Sequence, residues 1–327
     1  MILARWRSTE GDGEGFVDSG RVVPFAEGQT VAGVLALGLG SLAEVRADAD
    51  ERASLPLESV QLLAPLVPAS VRDFVAFEEH VEGVTASVDG ASHVAPEWYD
   101  APTFYFTNPH TISGPDDVVR PPQTERLDFE LELAVVVGAV PGSTGENLEP
   151  AEAAEHIFGY TIMNDWSARD LQGREMKVRL GPAKGKDFGT TLGPWLVTAD
   201  ELEPYLDHEG FLAVRAEVFV NGELIGHDLV SNAGWPFPEF VAYASRNSRV
   251  VPGDVLGSGT VGNGGCLAEL WGRTGSLTPP PLVEGDEVRL VVEGVGELVN
   301  RVGAAVPAPT VLPARPRPRI RHRSEIV

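Results

Sequence analysis

A β-rich α+β fold follows from three features of this 327-residue sequence. Strand-like segments outnumber helical ones, no regular strand–helix–strand alternation runs along the chain, and no internal repeat is present. Residues 126–138, RLDFELELAVVVG, show the strand character most openly. In an extended chain successive side chains alternate faces. Asp128, Glu130 and Glu132 therefore share one side, and Leu127, Phe129, Leu131 and Leu133 the other. The apolar run Ala134, Val135, Val136, Val137 is typical of a strand covered on both faces.

The other elements follow in chain order. GRVVPF (20–25) reads as a strand and TVAGVLALGLGSLAEVRADADERA (30–53) as helix. With ESVQLLAPLVP (58–68) they make up a small N-terminal region, 1–68. SVRDFVAFEEHVE (70–82) has a helical pattern, and a loop-rich section follows at 96–122. Pro150 opens a short helix, PAEAAEHIFG, and YTIMNDWSARDLQ (160–172) reads as strand, turn and helix start. In EVFVNGELIG, Asn221-Gly222 is a two-residue hairpin signal between strands. VVPGDVLGSGTVGNGG (250–265) and VEGDEVRLVVEGVGELVNRV (283–302) add further strands. A β-rich body thus spans 69–305, followed by a Pro/Arg-rich tail, 306–327.

Hydrophobic residues make up 43% of the chain, enough for a sizeable core. No apolar run is long enough to span a membrane, the first residues lack a signal-peptide core, and Cys266 is the only cysteine. Together these predict a cytoplasmic protein without an internal disulfide. The net charge is −23, and five of the 25 basic residues but one of the 48 acids lie in the last 22 positions. The acidic body would repel phosphates, which argues against nucleic-acid binding. The tail is either a docking arm or a disordered or surface-bound end. All three lysines, Lys177, Lys184 and Lys186, fall within one ten-residue stretch.

Four clusters carry chemistry. Carboxylates leading into a covered strand repel one another unless a cation neutralises them. Residues i and i+2 lie roughly 6.5 Å apart along a strand, so Glu130 and Glu132 either hold one hard cation or form a solvated acidic face. On the helical pattern, Asp73 and His80 share a face about 10 Å apart. That suits an acid on a metal and a base reaching a substrate between them, or else an Asp73–Arg72 pair and a surface histidine. In NDWSARDLQ, Ser167 is a candidate helix N-cap, and Arg169 and Gln172 project from one side as donors for an oxyanion. The alternative is an ordinary capped helix with an Asp165–Arg169 ion pair. KGKDFGTTLGP supplies an ammonium, Lys186, and a hydroxyl, Thr190, among close-approach glycines. No zinc arrangement, nucleophile elbow or dinucleotide fingerprint is present.

RDFVAFEEH, LDFELELAVVVG, IFGYTIMNDWSARDLQ, KGKDFGTT and VPGDVLGSGTVGNG, in this order, resemble the fumarylacetoacetate hydrolase (FAH) superfamily. The resemblance runs from about residue 70 to 300. It implies an FAH-type roll of mixed β-sheets and a homodimer. It also implies a divalent metal, Mg²⁺ or Mn²⁺ with Ca²⁺ as an alternative, on Asp73, Glu130, Glu132 and Asp165. Four acids and no thiol make a hard oxygen site, which favours the same metals. His80 matches the general base, oriented by Glu78, Glu79 or Glu82. Arg169, Gln172 and Lys186 match the groups that stabilise developing negative charge. Val75, Tyr105, Met176, Thr190 and Thr260 fall at substrate-binding positions, with Phe106 and Trp98 as further lining. Where the namesake hydrolase has aromatic hydroxyls this chain has Val75 and Met176, and GTVGNGGC lacks the acid that orients the base. A smaller or less polar diketo substrate is implied. The expected activity is hydrolysis of a C–C bond in an acylpyruvate-like or β-diketo acid, in aromatic or related catabolism. Decarboxylation or tautomerisation of a 2-oxo acid is the alternative, and a non-catalytic metal-binding interaction protein the remote one.

Overall fold

The apolar run of the acidic segment becomes the strand Leu131–Val137, buried at every position, near the middle of a 12-stranded mixed sheet. The computed structural model describes residues 1–49, 51–89 and 92–317. Antiparallel neighbours on one side of Leu131–Val137 are Ile157–Asp165 and then Thr190–Thr198. On its other side lie Val255–Gly257, then Val71–Phe74 in parallel, then the edge strand Phe104–Thr107. The N-terminal strand Ile2–Ser8 pairs with Thr190–Thr198, which continues the same sheet into the small N-terminal region.

Both faces of Leu131–Val137 are covered, and different elements cover each. Leu131, Leu133, Val135 and Val137 pack with Ala216, Val218 and Leu290 of a five-stranded second sheet and with Phe240 of the helix Phe237–Ser245. Ala134 and Val136 face Val31, Val34 and Leu35 of the helix Val31–Leu37. Burying such side chains contributes about 1.5–3 kcal/mol each, so this strand is among the least deformable parts of the molecule. Acids placed at its leading end are therefore held rigidly.

Several sequence expectations need correction. Residues 70–82 are not one helix: Val71–Phe74 is a strand, and the helix is Glu78–Asp89. Four consecutive buried residues carry no period of their own, and pairing on both edges decides their conformation. The helix expected over 30–53 breaks at Gly38, whose φ of 85° is left-handed. A helix absent from the sequence reading, Leu267–Thr274, follows the glycine-rich segment. Ser167 does not cap the helix Arg169–Met176; its hydroxyl donates to the Asp165 carbonyl. The Asn221-Gly222 hairpin forms as expected between Arg215–Val220 and Glu223–Leu229, with both turn residues at positive φ. Residues 306–317 of the Pro/Arg tail are exposed, and 318–327 lie outside the described residues. Among the described residues, no helix is long and apolar enough to cross a membrane.

Candidate active site and metal centre

The strand pairing gathers the acids. Asp73 on Val71–Phe74 lies opposite Gly257, and Glu132 comes from Leu131–Val137 on the other side of that short strand. A Cβ at Gly257 would lie 2.7 Å from Glu132 Oε2 and 2.8 Å from Asp73 Oδ1, so only glycine leaves room for the two carboxylates to meet. Glu130 joins them. Carboxylate oxygens of Asp73, Glu130 and Glu132 all lie within 4.8 Å of one another, and all three residues are buried. Asp165 ends the neighbouring strand Ile157–Asp165 and lies outside that triad. Its Oδ2 accepts from Lys186 Nζ at 2.7 Å and from the Tyr105 hydroxyl.

Two of these acids have cations and two do not. Lys186 Nζ is 2.5 Å from Glu130 Oε2, and Arg169 Nη2 is 2.8 Å from Glu130 Oε1. Burial alone would raise the Glu130 carboxyl, but Lys186 and Arg169 hold it down at about 2. Asp73 and Glu132 are pushed well above the ordinary carboxylate range, first by burial and then by their acidic neighbours. Asp73 Oδ1, Glu132 Oε1 and Asp165 Oδ1 are buried with no hydrogen-bond partner. Like-charged carboxyls packed this closely keep a proton or take up a cation. Unpartnered buried oxygens on a rigid sheet fit a hard divalent ion.

Asp128, the third acid of the alternation, does something else. The chain leaves strand geometry between Leu127–Asp128 and Leu131–Val137, so Asp128 turns away from the triad. Its carboxylate accepts from the backbone N–H of Phe129, Leu267 and Ala268. It also accepts from Arg169 Nε at 2.8 Å. Asp128 thus anchors the start of the helix Leu267–Thr274 and the guanidinium that neutralises Glu130. The ion pair proposed from sequence between Asp165 and Arg169 is replaced by Arg169 with Asp128 and Glu130.

His80 lies in the first turn of Glu78–Asp89 and is buried. Burial lowers it to about 4, with Glu130 opposing and Arg169 and Lys186 reinforcing, so it is neutral at physiological pH. Among the described residues its ring touches Cys266, Sγ to Nδ1 3.6 Å, rather than Glu78, Glu79 or Glu82. Gln172 accepts from Arg169 Nη1 at 3.0 Å through its oxygen, which leaves its amide N–H groups free to donate. Thr190 and Thr260 have buried hydroxyls without partners, as has Thr107, which the sequence reading missed. Tyr105 faces Asp165. Val75 holds Trp98 through its carbonyl, at 2.7 Å from Nε1. Trp98 itself packs on Trp235 and Tyr99. Phe106 is 64% exposed, lies against Arg72, and joins Tyr105 in lining the opening beside Lys186. Met176 is 47% exposed at the end of the Arg169–Met176 helix. Of the three clustered lysines only Lys186 is buried in the site; Lys184 pairs with Asp187 at the surface and Lys177 is exposed. An opening of about 360 Å³ is lined by Tyr105, Phe106, Thr107, Asn108, Lys186 and Asp187.

The sequence reading found no acid in GTVGNGGC; Glu269, three residues beyond that segment, is fully buried and pushed up to about 7 by burial. It faces the helix of His80 at Gly83, where an added Cβ would strike its Cγ. Its Oε1 accepts from Gly264 N–H at 3.1 Å and pairs with Arg273 at 2.6 Å. An unread helix hid it, and a helical reading of CLAELWGRT would have placed it on the buried face.

Comparison with known proteins agrees with this geometry. The family model for the fumarylacetoacetate (FAA) hydrolase C-terminal domain matches residues 69–303. The chain is 32% identical over 314 residues to a fumarylacetoacetase of Arabidopsis thaliana, covering 77% of this chain and 73% of that protein. It is 30% identical over 258 residues to the oxaloacetate tautomerase YisK of Bacillus subtilis, covering 76% and 74%. A solved fumarylacetoacetate hydrolase from the psychrophile Exiguobacterium antarcticum superposes with a TM-score of 0.67 at 27% identity, covering 93% of this chain and 99% of that one. With its site acids on the strands of a shared fold and its matched segment spanning most of the chain, this protein belongs to the fumarylacetoacetate hydrolase family.

Proposed function

We propose that this protein is a divalent-metal-dependent hydrolase that cleaves a C–C bond in an acylpyruvate-like or β-diketo acid. The observation that carries the reading is the pairing of unpartnered buried carboxylate oxygens, on Asp73, Glu132 and Asp165, with a neutral histidine nearby. Asp73, Glu130, Glu132 and Asp165 would hold Mg²⁺ or Mn²⁺, with Ca²⁺ also compatible with an all-oxygen donor set. Such an ion supplies Lewis-acid polarisation of the substrate carbonyls.

The residues of the chain do the rest. Neutral His80 takes a proton from water as the water oxygen bonds to the distal carbonyl carbon. Lysine has three N–H donors, and Lys186 spends two on Glu130 and Asp165, which leaves one for the tetrahedral oxyanion. The amide of Gln172 offers a second donor, and each such preorganised bond contributes about 3–4 kcal/mol to the transition state. Arg169, committed to Asp128, Glu130 and Gln172, keeps Glu130 ionised and in place. When the C–C bond breaks, its electron pair stays on the 2-oxo acid fragment as an enolate. That enolate takes back the proton held by His80. The products are a carboxylic acid and a 2-oxo acid, and one water is consumed. Thr190 and Thr260 supply hydroxyls for the substrate's carboxylate, and Val75 makes the wall beside them apolar.

The relationship to an oxaloacetate tautomerase favours a second reading, keto–enol exchange or decarboxylation of a 2-oxo acid on the same carboxylates. Neither reaction adds water, so His80 separates the readings. With Mn²⁺ present, acetylpyruvate should yield acetate and pyruvate, and His80→Ala should abolish this. Enol–keto conversion of oxaloacetate, or its conversion to pyruvate and CO₂, undiminished in His80→Ala and without acetylpyruvate cleavage, would overturn hydrolysis in favour of the second reading.

A further inference from the structure

We infer that Cys266 is a positioning residue for His80: its sulfur seats the imidazole through Nδ1, so that Nε2 is the nitrogen that exchanges the proton. The inference rests on His80 being the base of the proposed hydrolysis. Cys266 Sγ lies 3.6 Å from Nδ1, and both residues are buried. Sulfur is a weak acceptor with a long reach, so this separation suits an N–H···S contact.

The sulfur is not free to wander. Cys266 is the N-cap residue of the helix Leu267–Thr274, and the next two N–H groups, those of Leu267 and Ala268, are clamped by Asp128. Asp128 is itself bonded to Arg169, which pairs with Glu130. One ion-pair frame therefore sets the seat of the histidine and the position of a triad carboxylate. The facing helix can come this close because Gly272 meets Gly83 of the histidine helix with no room for a Cβ.

The other ionisable groups near the ring do not compete for Nδ1. Glu130, Arg169 and Lys186 act on it through space. Glu269, on the facing helix, has Oε1 committed to Gly264 and Arg273; its Oε2 and that of Glu79, on the histidine's own helix, are buried without a partner, and neither is bonded to the ring. Burial and Asp128 push the Cys266 thiol well up, so it remains S–H. A neutral sulfur orients the ring without favouring the imidazolium. A carboxylate in its place would orient the ring and also raise its proton affinity. In the reaction Nδ1–H stays on the ring throughout, Nε2 gains a proton from water and returns it to the enolate carbon, and the thiol proton never leaves sulfur.

The test combines ¹⁵N NMR of histidine-labelled protein with pH–rate profiles on acetylpyruvate and Mn²⁺. Wild type should show neutral His80 as the Nδ1–H tautomer. Cys266→Ala should lose that preference, with kcat down by ~10²-fold, the low end of what a positioned base contributes, and KM unchanged. Cys266→Ser, which keeps an acceptor, should restore most of the rate. Cys266→Asp should move the acidic limb of kcat/KM upward by about one pH unit or more. An Nε2–H tautomer in wild type, or Cys266→Ala with wild-type kcat and an unmoved tautomer, would overturn the inference. Should Cys266→Ala fail to fold, the wild-type tautomer and the Cys266→Ser profile still decide. If acetylpyruvate is not cleaved at all, the functional reading fails while the tautomer still tests the seat. If His80→Ala kills turnover and Cys266→Ala does not, the functional reading stands and the seat falls.

Discussion

Asp128 and Glu132 belong to one alternating stretch, both have no solvent exposure, and the protein treats them in opposite ways. Asp128 is fully provided for within the chain: three backbone N–H groups and the Arg169 guanidinium surround it. Glu132 receives one N–H, from Gly259 at 3.2 Å, and its Oε1 has none. Burying a carboxylate costs several kcal/mol unless the charge is matched. At Asp128 the match is internal, so the residue is architectural. At Glu132 and Asp73 no ion pair within the chain supplies the match, so these residues keep a proton or can take up a cation.

This contrast can be broken or sharpened by experiment, beginning where the effect is largest. Asp128→Asn should cost about 3–5 kcal/mol of folding stability, because it takes one of two carboxylate partners from buried Arg169 and disturbs the acceptor of three backbone N–H groups. Urea denaturation should show the loss equally with and without Mn²⁺, and a loss under ~1 kcal/mol would erase the distinction. Lys186→Met comes next. It strands Asp165 and leaves Glu130 with Arg169 alone, so the metal-free protein should lose about 3 kcal/mol, and Mn²⁺ should recover most of it. Its kcat should fall by ~10²–10³-fold, as expected for one lost oxyanion donor. Equal destabilisation with and without metal would make Lys186 a purely structural cation.

Glu132→Gln should behave in the opposite sense to Asp128→Asn. Metal affinity should fall at least ~100-fold, beyond what losing an outer-shell partner usually does, while metal-free stability should hold or rise. Thermal melts with and without Mn²⁺ measure both, and a retained metal-induced increase in Tm would refute the ligand role. The smallest effect is in the pH dependence. Asp73 and Glu132 are raised in the fold, so the stability they contribute is full below the unfolded carboxylate range and is lost as pH rises through their folded values. The metal-free protein should therefore weaken as pH climbs above that range. Saturating Mn²⁺ should flatten the slope, since the ion displaces the protons. A metal-free stability that rises over the same pH window would contradict the shared-proton picture.

Much of this arrangement was legible in the residues themselves. Alternation marked Glu130 and Glu132, the apolar run after them marked a strand covered on both sides, and Asn221-Gly222 marked a hairpin. The i, i+3 spacing of Arg169 and Gln172 anticipated their contact. Other features resisted reading. Val71–Phe74 is too short and too uniformly buried to declare itself a strand. The lysine cluster suggested a shared role, yet only Lys186, bonded to Glu130 and Asp165, is buried.

By itself, the sequence determined which side chains alternate and where the rigid strand lies, because these are properties of neighbours along the chain. Only the tertiary structure decided which acid is matched and which is left open. Asp128 finds Arg169 41 positions away and Leu267 139 positions away, and Cys266 reaches His80 across 186. A carboxylate's character depends on the charges and N–H groups that enclose it, and those are brought together only when the sheet and its helices close around it.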